Sequence, residues 1–376
     1  LRIADSALPW PQIDALAREG QLDAAINLAE RSLPEHPTEE EALGINDLYR
    51  QAGDWLTATG YLQAYLADHS ERAQIWRALG DVHLAREQHQ QALAAFRKAR
   101  DLGLNDADLH ADMSSTFHAL ERYQEALTHI RLACELDNST KYKKRLAATL
   151  VMCCEYEEAA RLYEELSASD NSVPQANHAM CLGYLGRLDE SLAILDTIIR
   201  KEQQDPAVRM IRGQFRLLRG DWAGGWLDYA WRNFNQTKDF RMLPYSRWQG
   251  ESLENKTIVI LAEQGLGDQI MFASCLPDLI DLSPSTIILE AHERVAVTLA
   301  RSFPGITIVP TRQKKDLGWV QKIGYADYFV SLGDLPQYFR QTDTAFPRKP
   351  FLQADPKKVS VWRKRLEKSG PRPWIG

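Results

Sequence analysis

One spacing governs what this chain can fold into. A turn-forming residue is followed five positions later by a small one, and the pair recurs along the first 225 residues: Gly20 and Ala25, Gly53 and Ala58, Glu87 and Ala92, Glu121 and Ala126, Cys154 and Ala159, Gly186 and Ser191, Gly220 and Gly225. The intervals are 33, 34, 34, 33, 32 and 34 residues. One such match is cheap, but seven in register are not. The stretch "IWRALGDVHLAREQHQQALAAFRKA" adds Trp76, Leu79, Gly80, Phe96 and Ala99 at fixed offsets within one period.

A period near 34 residues with these positions is the tetratricopeptide signature. Each unit is a pair of antiparallel helices that cannot bury its apolar face alone, so neighbouring units must stack. Seven units, about Ile13 to Asn233, are expected to wind into a right-handed superhelix. The first helices of the units line its concave wall, and Asp47, Arg77, Asp81, His118 and Lys144 are expected there. Such a wall is a candidate groove for a protein or glycan partner; it carries no repeated Asn ladder for clamping an extended peptide. His83, His89, His110, His118, His129 and His178 are scattered without metal-ligand spacing and read as ordinary surface or core residues. Asp106-Ala107-Asp108 opens a repeat helix and reads as a cap rather than a metal motif. No metal site is expected.

The seventh unit, "GDWAGGWLDYAWRNF", is heavy in aromatics. A terminal repeat must cover the end of the stack or dock on something, so Trp222, Trp226, Tyr229 and Trp231 are expected at a seam. The chain then reads as residues 1–234 for the superhelix, 235–255 for a connector, 256–356 for an α/β segment and 357–376 for a closing helix and the start of another strand. In the α/β segment, "TIVILAE" is a near-continuous apolar run, as for a parallel strand buried on both faces. A helix is expected from Asp268 to Leu282, then strand "STIILEAH", helix "ERVAVTLARSF", strand "ITIVPT" and a further strand in "YADYFVSLGDLP". This order predicts a Rossmann-like parallel sheet with ligands at the carboxyl ends of its strands.

Charge divides along the same line. From Arg241 onward there are 19 Lys/Arg against 14 Asp/Glu, or +5; the remaining 26 against 37 make −11, for a total of −6. The mildly basic part suits an acidic or phosphate-bearing ligand. Nothing in the sequence points to nucleic acid, and no apolar run reaches the roughly 18 residues of a membrane span. Five cysteines without CxxC spacing read as free thiols in a reducing, cytoplasmic setting.

The corner "EQGLGD", Glu263 to Asp268, follows the first strand of the segment. Gly265 and Gly267 fill two places of a dinucleotide fingerprint, and Glu290 falls where a ribose-binding acid belongs. Ile270 takes the third glycine's place, and Asp268 sits where a pyrophosphate would need bare backbone N–H groups, which opposes a dinucleotide. Asp268 can serve as a general base toward a substrate hydroxyl, or simply cap its helix.

The order of seven repeats, "GW…YAWR", "WQGESLENK" and "EQGLGDQIMFAS" resembles a bacterial family of tetratricopeptide-repeat glycosyltransferases with a heptosyltransferase-like catalytic part. "FPGITIVP", "DYFVSLGDLP" and "KPFLQAD" resemble its later segments. The resemblance implies the N-terminal half of a two-Rossmann GT-B fold, with Asp268 as base and Glu263, Gln264, Gly265 and Gly267 lining the acceptor side. It implies transfer from a nucleotide-sugar donor without metal or other cofactor. "KKVSVWRKRLEKSG" resembles the linker helix, and "RPWIG" the first strand of a donor-binding domain that these 376 residues lack. A chain of this kind is expected to bind an acceptor without turnover. The alternative is an interaction scaffold with a non-catalytic Rossmann-like platform.

Overall fold

The computed structural model describes residues 8–169, 175–201, 205–233, 241, 243–263, 265–312, 317–368 and 370. The chain is an α-solenoid of tetratricopeptide repeats followed by a parallel five-stranded sheet with helices. It divides into two compact units, Leu1–Leu185 and Gly186–Gly376.

The helix pairs are α1 (Trp10–Arg18) with α2 (Leu22–Ser32), α3 (Glu39–Gln51) with α4 (Trp55–Asp68), α5 (Ala73–Ala85) with α6 (His89–Asp101), α7 (Ala107–Ala119) with α8 (Tyr123–Leu136), and α9 (Thr140–Met152) with α10 (Tyr156–Ser169). Then α11 (Gln175–Tyr184) ends the first unit, α12 (Leu188–Lys201) opens the second, and α13 (Pro206–Arg219) pairs with α14 (Trp222–Tyr229). Both marks of the sequence period have a physical cause. The small residues Ala25, Ala58, Ala92, Ala126, Ala159 and Ser191 are fully buried, at 0% exposure. Close packing also explains Gly80, where an added Cβ would lie 2.5 Å from the Phe96 ring.

The turn-forming residues all adopt left-handed backbone. Gly20, Gly53, Gly186 and Gly220 have φ of 78°, 73°, 79° and 86°; Glu87, Glu121 and Cys154 have 58°, 59° and 61°. The left-handed residue ends the first helix of each pair so that the second can fold back. Glycine adopts this backbone freely, whereas an L side chain costs about 1–2 kcal/mol. Glycine also enlarges the unfolded ensemble, which returns about 0.4–1 kcal/mol of that gain. Replacing Glu87, Glu121 and Cys154 together by Gly is therefore expected to stabilise the repeats by roughly 2–3 kcal/mol in all. Urea unfolding of the triple variant checks this; an unchanged or lower midpoint rules it out.

Asp106 caps α7 as expected, its Oδ1 accepting from the Leu109 N–H at 2.8 Å. The histidines are less scattered than their sequence spacing suggests. His110 and His129, 19 residues apart, meet across the α7–α8 hairpin with their Nδ1 atoms 2.9 Å apart. The His110 Nε2–H donates to Asn105 Oδ1 at 2.7 Å, so its Nδ1 must accept from the His129 Nδ1–H. Burial, and then the neighbouring His110, push the His129 ring down to about 4, so it is neutral at pH 7.

In the second unit, β2 (Thr257–Leu261), β3 (Thr286–His292), β4 (Thr307–Thr311) and β5 (Tyr328–Ser331) match the expected strands, and a short β1 (Ser246–Arg247) precedes them. All pair in parallel, in the order β1-β5-β2-β3-β4. The strand β1 lies in the stretch read as a connector. Two residues are too few for a sequence pattern; β1 forms because β5 offers an open edge. Alternate side chains pack both faces, as the apolar runs require. Ile258, Ile260, Ile287, Leu289 and Val330 join one cluster, while Val259, Leu261, Ile288 and Phe329 join the other.

The helix expected over Asp268–Leu282 is broken instead. It runs as α15 (Leu266–Phe272), a 3-10 turn at Ala273–Cys275 and α16 (Leu276–Asp281). Pro277 sits in the first turn of α16 and has no N–H for a continuous ladder, so the chain restarts there. Next comes α17 (Glu293–Ser302), then two one-turn helices, α18 (Val320–Ile323) and α19 (Pro336–Phe339). The last helix, α20 (Pro356–Glu367), keeps Val359, Trp362 and Leu366 exposed. "RPWIG" lies outside the described residues, as does part of the stretch 235–255. Among the described residues no helix is long and apolar enough to cross a membrane.

Three of the four cap aromatics pack against the sheet core of their own unit, whereas Trp231 lies against Arg209 of α13. Trp226 joins the cluster of Ile258, Phe272, Leu276 and Leu335, with Trp222 and Tyr229 packed beside it. Its indole Nε1–H donates to the Arg340 carbonyl at 2.9 Å.

Candidate functional site

Two places carry the side chains singled out by sequence: the first-helix wall of the repeats and the carboxyl edge of the sheet.

On the wall, links recur at about one repeat length. Arg77 of α5 donates to Asp112 Oδ2 of α7 through Nε at 3.1 Å and Nη2 at 3.0 Å. Lys141 of α9 pairs with Asp108 of α7 at 2.5 Å, and the Tyr142 hydroxyl donates to the same carboxylate at 2.6 Å. Arg145 donates to the Ala111 carbonyl and the Ser115 hydroxyl. Arg50 of α3 reaches Asp47 at 3.5 Å and Asp81 of α5 at 3.9 Å. Asp47, Arg77 and Asp81 therefore belong to one ladder, joined by Arg50 and Asp112, partners the sequence reading did not name. His118 stands exposed at the end of α7, edge-on to Tyr123 at 5.4 Å. Lys144 is half-buried in α9.

Burial pushes the Asp81 carboxyl up to about 7, with the Asp112 charge adding to it and Arg50 and Arg77 opposing. The same desolvation raises Asp112. Burial on the wall thus favours the neutral form of these two carboxyls, against the pull of the neighbouring arginines.

At the sheet edge, β2 neighbours β3 on one side and β5 on the other. That is the switch point of the topology, where open α/β sheets bind ligands. Glu263 stands two residues after β2, and Asp334 closes the 3-10 turn after β5. Arg232, from the 3-10 turn that follows α14, bridges them. Its Nη2 donates to Glu263 Oε1 at 2.6 Å and its Nη1 to Asp334 Oδ1 at 2.7 Å. Arg247, the last residue of β1, donates to Asp334 Oδ2 at 2.9 Å, and the Gly333 N–H donates to Glu263 Oε1 at 2.7 Å. A Cβ at Gly333 would lie 2.6 Å from that same oxygen, so a side chain there would displace Glu263.

Asp334 is only 1% exposed as a side chain, and Arg232 and Glu263 are near 12% and 11%. Burial alone would lower the Arg232 guanidinium, but the Asp334 and Glu263 charges outweigh it and hold it above its ordinary range. Arg232 Nε is buried without a hydrogen-bond partner among the described residues. The guanidinium thus lies between the carboxyl ends of β2 and β5. Glu290, the residue matched to a ribose-binding acid, is likewise engaged. It accepts from Arg241 Nη1 at 2.7 Å, the Ala262 N–H at 3.0 Å and Thr311 Oγ1 at 3.2 Å.

In the glycine corner, Asp268 Oδ2 accepts from the Gly265 N–H at 3.2 Å, closing the first turn of α15. A Cβ on Gly265 would sit 2.7 Å from that oxygen, so glycine is what lets the carboxylate fold back. Among the described residues an added Cβ at Gly267 would meet nothing within 4 Å, and Asp268, the next residue, is half-buried. Gln264 lies outside the described residues. Gln269, fully buried, fixes the corner from behind: its Nε2 donates to the Glu263 carbonyl and its Oε1 accepts from the His292 N–H, both at 2.9 Å.

The structure thus brings Glu263, Gly265, Gly267 and Asp268 to one edge. Arg232, Arg247, Asp334 and Gln269 were missed as site residues. Arg232 and Asp334 do fall in the quoted stretches "YAWR" and "SLGD", but partners 31 and 102 residues apart leave no spacing signal. Among the described residues, no group of three or more His, Cys, Asp or Glu could hold a metal ion. All five cysteines are free.

Comparison with known proteins supports the repeats. A tetratricopeptide-repeat family model matches residues 47–107. The chain is similar to Protein FlbA of Caulobacter vibrioides, 27% identical over 350 residues, covering 87% of this chain and 58% of that protein. It therefore spans under two thirds of that relative's length. Among solved structures, a tetratricopeptide repeat protein from Parabacteroides merdae aligns at 14% identity and a TM-score of 0.46, over 61% of this chain and 93% of that one. A thermophilic tetratricopeptide protein of Thermus thermophilus aligns at 18% identity and a TM-score of 0.37, over 46% and 96% of the two chains.

Proposed function

We propose that this chain is a protein-recruiting module in which the wall formed by α3, α5, α7 and α9 receives a partner, with the parallel sheet as an attached platform. The observation that carries this reading is the ladder of cross-repeat links. It holds the first helices in register before any partner arrives, so binding pays little ordering entropy. Asp47, half-exposed at 50%, stands at its rim. A photo-crosslinking residue placed at Asp47 is expected to trap a partner in cells, while one placed at Leu132, exposed on the second helix α8, is not. Equal yields from both positions would remove the wall as the recruiting face.

A second reading rests on Asp268, half-buried in the first turn after β2 and next to Gly267, where an added Cβ would meet nothing within 4 Å among the described residues. In it, the parent protein transfers a sugar from a nucleotide-sugar donor to a hydroxyl of the recruited protein or glycan. Asp268 takes the hydroxyl proton, and the Glu263 loop lines the acceptor side. General-base catalysis contributes about 10²–10⁴-fold. The full gene product carrying Asp268→Asn is therefore expected to lose at least about 100-fold in sugar transfer with its fold intact. Equal rates in wild type and variant would leave Asp268 as a helix cap only.

A further inference from the structure

We propose that the cleft between α12 and α13 is a binding site for an acidic peptide segment, separate from the wall of the first unit. The cleft measures about 600 Å³ and is lined by Asp196, Ile199, Arg200, Arg209 and Arg212. Three guanidinium groups thus face one carboxylate. Their forks match carboxylate geometry and are less strongly hydrated than an ammonium, which suits them to pair with acids at an interface.

The arginines are positioned from behind. Asp228 of α14, only 4% exposed as a side chain, accepts from Arg212 Nε at 2.7 Å and Nη2 at 2.8 Å. It also pairs with Arg216 at 2.8 Å and with Arg209 at 3.6 Å. The Arg209 guanidinium lies 4.4 Å from the Trp231 ring centroid, which restricts it further. Arg200 is exposed at the cleft mouth. Four arginines against Asp196, Asp221 and Asp228 leave this cluster at +1 among the described residues. One buried acid thus fixes several cations in place beside the cleft.

The lining favours a peptide over a compact polyphosphate. Asp196, 45% exposed and paired with Arg212 at 2.7 Å, would repel a dense anion but can accept a peptide N–H. Ile199 offers apolar contact for the methylene groups of a glutamate. An alternating acidic segment satisfies all three features.

The test is titration of the 376-residue chain with a labelled ten-residue glutamate–glycine peptide, beside a lysine–glycine peptide and pyrophosphate. Saturable binding of the acidic peptide alone, weakening at least tenfold between 50 and 300 mM salt, is expected. Arg200→Glu, at an exposed position, is expected to lower the affinity at least tenfold with an unchanged helical spectrum, and Arg209→Gln severalfold. Three results each overturn the proposal: no binding at low salt, binding indifferent to both substitutions, or pyrophosphate binding at the same residues more tightly than the peptide. Crosslinking from Asp47 does not depend on these arginines, so the recruiting wall and this cleft can fail separately.

Discussion

Replacing Arg232 by Met is expected to destabilise the sheet-bearing unit by about 3–5 kcal/mol, because it takes the described cation from the buried Glu263 carboxylate and one of the cations from Asp334. Glu263 would keep only the Gly333 N–H of the contacts described above, and Asp334 only Arg247. In a unit of this size each kcal/mol moves the unfolding temperature by about 2–4 °C, so the thermal midpoint of that transition should fall by roughly 10 °C. Arg232→Lys should lose less, since it keeps the charge but not the fork that spans two acids. The double variant Arg232→Met, Glu263→Gln should recover part of the deficit, because one uncompensated charge is removed with its partner. A single variant as stable as wild type would show that the switch-point network is incidental.

Trp226→Ala is expected to cost about 3–5 kcal/mol in the same transition, by opening a cavity beneath α14. Trp226 is 9% exposed and sits edge-on to Phe272 and Tyr229, with centroids 6.2 and 5.8 Å away. The change also leaves the Arg340 carbonyl without its indole donor. Trp226→Phe separates the two effects. It keeps a ring in the core and forfeits a hydrogen bond worth roughly 1 kcal/mol. If α14 is truly packed into the sheet core, α14 and the sheet should unfold together in wild type, and hydrogen exchange of both should rise together in Trp226→Ala. Exchange that rises in α14 alone would contradict this.

The repeats were legible because a stack of like units repeats its physics. Every unit needs a left-handed turn and a small residue at the helix crossing, so the pattern recurs whatever else varies. Even Glu87, Glu121 and Cys154, which are poor residues for that backbone, were marked by their place in the period. The strands β2, β3 and β5 were legible for a similar reason, since burial on both faces demands continuous apolar runs, while β4, at the sheet edge, holds no buried residue. The site was legible only in part. Asp268 and its glycines show as a motif because they are neighbours in the chain. Arg232 and Asp334 show only as letters in longer motifs, without roles.

The amino-acid sequence alone determined the period, the repeat helices, the parallel strands and the apolar face of the cap, because each depends on residues close in the chain or repeated along it. Only the tertiary structure decided where the charges go. It set Arg232 into the switch point, tied the wall from repeat to repeat through Arg77 and Asp112, joined His110 to His129, and gathered arginines around Asp228. Charge pairing acts through space over a few ångströms. Its partners are chosen by which helices and strand ends come together, and nothing in the local pattern encodes that choice.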